Sequence, residues 1–119
     1  MTTRAEYHTT TARRFLAEAH DYLAADDLLQ ASEKGWGAAA QAVKSVAEAR
    51  GWPHNGHRQL FTIIGRLVAE TGDEDLRIAF GLAGALHTNV YEGWLDREAI
   101  EAHISQVAGL VEKLETRSA

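Results

Sequence analysis

The fold is decided by a stretch of small residues around one tryptophan, ASEKGWGAAAQAVK, which spans residues 31–44. Glycine inside a helix costs about 1 kcal/mol relative to alanine, so Gly35 and Gly37 indicate that another helix approaches closely beside Trp36. The run Ala38–Ala40 extends this smooth surface. Tight packing around the tryptophan is the simpler interpretation, and a groove floor or a dimer seam is the functional alternative.

Helical periodicity extends over the rest of the chain. Apolar residues recur on one side of each segment, as in helices that bury a single face. In Gly51-Trp52-Pro53, a glycine that can end a helix is followed by a proline that cannot continue it. Two further helix breaks lie at residues 71–73 and 93–96. These breaks predict five helices, at residues 2–24, 26–50, 56–71, 73–92 and 96–116.

The predicted helices indicate an all-α protein. Their short connections favour antiparallel neighbours, so we expect an up-and-down antiparallel bundle of four to five helices that forms a single domain over residues 1–119. The apolar faces predict a core that includes Phe15, Trp36, Val43, Phe61, Leu67, Phe80, Val107 and Leu114.

Composition and charge exclude several classes of protein. The chain has no cysteine, which excludes disulfides and thiolate metal sites. No apolar run approaches the roughly 18 residues that a membrane span needs, so we expect a cytoplasmic protein with no membrane partner. The net charge of -5 argues against a general nucleic-acid binder, whose affinity comes from clustered Lys and Arg, but it leaves room for a local basic groove.

Two histidines, His54 and His57, stand three residues apart near the predicted start of the third helix. Neutral imidazoles bind zinc well, but the spacing identifies no third or fourth ligand. We therefore assign no metal site and expect no cofactor. His57 shares the apolar side of its helix with Leu60 and Ile64, which favours local packing and hydrogen bonding.

The end of the fourth predicted helix carries the best candidates for a functional site. His87 lies on the apolar face, and Tyr91 follows one turn later at i+4. Histidine can transfer a proton near neutral pH, and a tyrosine or a glutamate can orient it. The alternative is a core histidine satisfied by its neighbours. The candidate ligand-binding residues are His87, Asn89, Tyr91 and Glu92, and the catalytic candidates among them are His87, Tyr91 and Glu92.

Three blocks of sequence together resemble a known family: ASEKGWGAAAQAVK at residues 31–44, GWPHNGHRQL at 51–60 and LHTNVYEGWL at 86–95. They are similar to the HEPN superfamily, and especially to its PaREP-type branch of archaeal proteins, over residues 10–116. The resemblance implies an up-and-down helical bundle, commonly a homodimer and often encoded near a nucleotidyltransferase. Many HEPN proteins are metal-independent RNases in toxin–antitoxin or defence systems.

The RNase signature of that superfamily is an arginine followed, a few residues later, by a histidine at the end of the penultimate helix. In this chain His87 and then Tyr91 or Glu92 hold that place, so the arginine and the later histidine are absent. The resemblance therefore carries over the location of the site and not the RNase chemistry.

We expect a non-enzymatic HEPN-like homodimer that binds a nucleotide, an RNA or a partner protein through the end of helix four, in a toxin–antitoxin or defence context. One alternative is a divergent metal-independent RNase that uses His87 with Tyr91 and Glu92. Another is a substrate-binding subunit of a partner nucleotidyltransferase.

Overall fold

The computed structural model of the protein describes residues 1–118 and contains five α-helices. Helix α1 spans Arg4–Ala24, α2 spans Leu28–Arg50, α3 spans His57–Thr71, α4 spans Asp75–Glu92 and α5 spans Arg97–Glu115. Residues 1–118 contain no strand, and none of their helices is long and apolar enough to cross a membrane. The predicted all-α helical bundle is confirmed, and every predicted helix end lies within two residues of the observed one.

Glycines and one aspartate set several of the helix ends. Gly51, Gly72 and Gly93 end α2, α3 and α4 with φ of 70°, 72° and 64°, in the left-handed region that favours glycine. Asp96 begins α5 by accepting a hydrogen bond from the Ala99 amide at 2.8 Å. The connection between α4 and α5 is therefore tightly defined at both ends.

Helix α2 is the central element and contacts all four other helices. Most neighbouring helices run antiparallel, but the connection of residues 51–56 carries the chain back along α2. As a result His57, the first residue of α3, lies against Trp36, while Arg50 pairs with Glu70 near the far ends of both helices. Helices α2 and α3 therefore run in the same direction, which departs from the antiparallel pattern that short connections favour. This path brings the start of α3 to the end of α4.

The core lies mainly between α2, α4 and α5. Six of the expected core residues are buried: Trp36, Val43, Leu67, Phe80, Val107 and Leu114. Phe15 is partly buried against them. The prediction that Phe61 is a core residue is wrong, because 47% of it is exposed. Helix α3 lies at the edge of the bundle, where its contacts within the described residues are with α2 and α4, so it buries one apolar face and leaves Phe61 outside that face.

The two glycines that flank Trp36 allow close packing on two sides of α2. A Cβ at Gly35 would lie 2.8 Å from Leu86 Cδ1, on α4. A Cβ at Gly37 would lie 2.9 Å from Phe15 Cδ2, on α1. Both distances are too short for carbon atoms in contact, so a larger residue at either position would force the neighbouring side chain or helix to move. This supports the close-packing interpretation of the stretch.

Candidate functional site

Aromatic and imidazole rings from three helices meet at the end of α4. The ring centroid of His87 lies 5.1 Å from that of Trp36, on α2, and 4.9 Å from that of His57, on α3. Trp36 and His57 are themselves 5.0 Å apart. Tyr91 packs edge-on against His87 at 5.6 Å. We call Trp36, His57, His87 and Tyr91 the ring cluster.

Local sequence and helix packing explain how the ring cluster forms. His87 and Tyr91 are neighbours at i and i+4 on α4, as the sequence predicts. Gly35 has no side chain, so α4 comes close enough to α2 for the adjacent Trp36 to reach His87. His57 joins them because the connection before α3 returns to this end of α2. The cluster thus depends on two features that lie far from α4 in sequence.

The ring cluster is partly open to solvent. Tyr91 exposes 77% of its surface and Trp36 only 9%, whereas His57 is exposed and His87 is half-buried. Within residues 1–118, the hydrogen bonds made by histidine ring nitrogens belong to other histidines. The ring nitrogens of His57 and His87 are therefore available to solvent or to a ligand. The cluster therefore combines an apolar ring surface with free polar atoms, a combination that suits a flat, heteroaromatic ligand.

Asn89 lies outside the ring cluster. It is 1% exposed, and its side chain has partners on both polar atoms. Its Nδ2 donates to Ser32 Oγ at 3.0 Å, and its Oδ1 accepts from the Leu95 amide at 2.8 Å. The side chain thus ties α2 to the connection between α4 and α5. Asn89, a ligand-binding candidate from the sequence, therefore forms structural hydrogen bonds inside the protein.

Glu92 is the last residue of α4 and is exposed. Its carboxylate takes part in none of the hydrogen bonds or ion pairs formed within the described residues 1–118. It follows Tyr91 directly in the sequence but takes no part in the ring contacts of His87.

A second group of polar side chains lies near the end of α2. His54 Nε2 donates to Glu48 Oε1 at 2.9 Å, and His8 Nδ1 donates to Gln41 Oε1 at 2.6 Å. The rings of His8 and His54 are 5.7 Å apart. The hydrogen bond from His54 lowers the pKa of the Glu48 carboxyl. His54 and His57, which the spacing pairs, therefore belong to different groups in the fold.

The start of α4 borders a surface cavity of about 290 Å³, far from the ring cluster at the other end of the helix. Its one lysine, Lys113, donates to Asp73 Oδ2 at 2.8 Å. This hydrogen bond lowers the pKa of Asp73 and raises that of Lys113. The lysine is therefore already paired with a carboxylate, and Arg117 supplies the other cationic side chain of the lining.

The chain matches the profile of the archaeal PaREP1/PaREP8 family over residues 7–111. Its fold is similar to that of a protein from Sulfolobus solfataricus known from a crystal structure, with a TM-score of 0.82 and 22% sequence identity. That similarity covers 92% of this chain and 97% of the other, and at this identity it concerns the fold alone. No curated protein matches the chain.

Proposed function

We propose that this chain, which belongs to the archaeal PaREP1/PaREP8 family, binds a nucleotide or a short single-stranded RNA at the ring cluster, without turnover. The observation that carries the proposal is the contact of His87 with three other rings, one of which, Tyr91, is 77% exposed. Nucleobases stack on such rings, and each stacked base contributes about 1–3 kcal/mol.

The polar atoms of the cluster suit the rest of a nucleotide. The free ring nitrogens of His57 and His87 can donate to base edges or phosphate oxygens. Arg58, exposed and adjacent to His57 on α3, provides a guanidinium, a group that pairs well with phosphate. The net charge of -5 disfavours a long RNA, whose binding depends on many phosphate contacts. We therefore favour a ligand of one or a few nucleotides.

Binding of a labelled short oligoadenylate, followed by fluorescence anisotropy, tests the proposal. Tyr91→Ala is expected to raise the Kd about 5- to 150-fold, because about 1–3 kcal/mol of stacking is lost. His87→Ala is expected to weaken binding as well. Tyr7→Ala is the matched control, since Tyr7 is 59% exposed on α1 and has no ring contact with the cluster. Equal affinities for Tyr91→Ala and the wild type would contradict the proposal.

We further propose that the protein is a HEPN-like homodimer. The all-α bundle and the position of His87 at the end of the penultimate helix are consistent with the superfamily. Phe61 and Ile78 expose 47% and 58% of their surfaces on α3 and α4, and a partner copy would cover such apolar area. Sedimentation at high micromolar concentration is expected to give a dimer. A monomer under those conditions would refute this proposal.

RNA cleavage is a second candidate function, favoured by the 4.9 Å separation of the His57 and His87 rings. Cleavage by internal transfer needs a base to take the proton of the 2′-hydroxyl and an acid to protonate the departing 5′-oxygen. Two adjacent imidazoles can supply both. Product formed from an RNA oligonucleotide, but not from its 2′-deoxy analogue, and lost in both His57→Ala and His87→Ala, would favour this function over binding alone.

A further inference from the structure

We propose a second site, separate from the ring cluster, in which His8, Glu48 and His54 bind a divalent transition-metal ion of the zinc class. Their potential ligand atoms all lie within 4.8 Å of one another, and all three side chains are half-buried. The residues come from the start of α1, the end of α2 and the connection before α3. The fold thus assembles a group that no local spacing in the sequence reveals.

The spacing of His54 and Glu48 already approaches that of metal ligands. In a tetrahedral site with bonds of about 2.0–2.1 Å, neighbouring ligand atoms are about 3.3 Å apart. His54 Nε2 and Glu48 Oε1 are 2.9 Å apart and share a hydrogen. A metal ion would take the place of that hydrogen, and the neutral imidazole would carry its hydrogen on Nδ1 instead.

The hydrogen bonding of His8 also suits a ligand. The amide oxygen of Gln41 accepts its hydrogen bond from His8 Nδ1 at 2.6 Å, so Nδ1 carries the hydrogen and Nε2 keeps a free lone pair. Metal-binding histidines commonly donate their other ring nitrogen to such an oxygen, which fixes the tautomer and the ring orientation. Gln41 therefore acts as a positioning residue for His8.

The donor set selects the class of ion. Two imidazole nitrogens and one carboxylate oxygen suit zinc and neighbouring late transition metals, whereas calcium and magnesium prefer oxygen ligands. Three protein ligands leave a fourth position for water. The guanidinium of Arg4 lies 3.6 Å from Glu48 and opposes a cation there, but its side chain is 85% exposed and can turn toward solvent.

The proposed metal site and the ring cluster are separate. Glu48 lies twelve residues beyond Trp36 on α2, which corresponds to about 18 Å along the helix axis. An ion at this site would link α1 to the connection before α3, so its binding is expected to raise the melting temperature. A result at either site can therefore be read independently of the other.

Calorimetric titration of untagged, chelator-treated protein with Zn²⁺ alone tests the site. We expect one ion per chain, and we expect His8→Ala, His54→Ala and Glu48→Gln each to lower the affinity at least tenfold. Glu48→Gln is the most informative variant, because it keeps the size of the side chain and an oxygen that accepts from His54. Co²⁺ bound to the wild type is expected to show the visible absorption of a low-coordinate site with nitrogen and oxygen ligands. The same three variants are expected to lack this absorption.

Two histidine variants serve as matched controls. His20→Ala removes an exposed imidazole from α1, and His57→Ala removes one from the ring cluster; both are expected to bind Zn²⁺ as the wild type does. Absence of binding would overturn the proposal. So would affinity that is unchanged in Glu48→Gln and His54→Ala, or that falls equally in the controls. If the protein is folded and its melting temperature does not change with Zn²⁺, the three side chains form hydrogen bonds only and do not bind a metal ion.

Discussion

Substitution of Gly35 by alanine tests the close approach of α2 and α4 on which the ring cluster depends. The added Cβ would lie 2.8 Å from Leu86 Cδ1 and 3.3 Å from Ile104 Cγ1. Both partner side chains are 0% exposed, so other core atoms surround them. The substitution therefore forces a shift of side chains or of helices within the core.

The magnitude follows from two opposing effects. Overpacking of a well-packed core costs about 1–3 kcal/mol. Alanine is favoured over glycine in a helix by about 0.5–1 kcal/mol, which offsets part of that cost. The matched control is Gly81→Ala on α4, where an added Cβ meets nothing within 4 Å, so only the favourable effect remains. The free energies of unfolding of the two variants are expected to differ by about 1–3 kcal/mol.

Urea unfolding, followed by circular dichroism and tryptophan fluorescence, measures this difference. Gly81→Ala should be slightly more stable than the wild type, and Gly35→Ala clearly less stable than Gly81→Ala. If Gly35→Ala gains as much stability as Gly81→Ala, α2 and α4 are not in close contact at this point, and the reasoning is refuted.

Two further predictions concern polar contacts. Asn89→Ala is expected to destabilise the protein by about 2–4 kcal/mol, because the buried Ser32 hydroxyl and the part-buried Leu95 amide each lose a hydrogen bond. Thr88→Ala on the exposed face should change stability by no more than about 0.5 kcal/mol, and urea unfolding compares the two variants. Because the hydrogen bond from Lys113 lowers the pKa of folded Asp73 below its unfolded value, this pair stabilises the protein above the unfolded pKa, and the contribution is lost as pH falls through the folded pKa. Thermal melts at graded acidic pH should therefore show a weaker pH dependence for Lys113→Met than for the wild type, and identical slopes would contradict the assignment.

Much of the fold was predictable from the sequence, because helical periodicity and glycine breaks are local signals. Gly51, Gly72 and Gly93 end helices where the sequence places the breaks. The path of residues 51–56 was not predictable, since short connections favour antiparallel neighbours, whereas here the connection itself runs back along α2 and α3 then runs parallel to α2. The exposure of Phe61 follows from that path, because it sets α3 at the edge of the bundle.

The candidate site was predictable only where its residues share a helix. The i, i+4 spacing identifies His87 and Tyr91, and the structure brings these two together. Trp36 and His57 join them through contacts between helices, which a single sequence does not encode in a readable pattern. The one sequence feature that could have indicated a role for His57 in the cluster was its position on the apolar side of its helix. Asn89 shares the same helix, but the sequence does not reveal its structural role. Its side chain bonds to Ser32, which is distant in sequence, and to Leu95, which lies in the connection after α4.

NMR spectroscopy of the aromatic side chains tests most directly whether a nucleobase stacks on the ring cluster. On titration with a short oligoadenylate, the ring resonances of His57, His87 and Tyr91 and the indole resonance of Trp36 should shift together to saturation. The rings of Tyr7 and His20 should remain unchanged. Saturable binding with shifts confined to other residues, or no shift in the ring cluster at saturating ligand, would contradict the account.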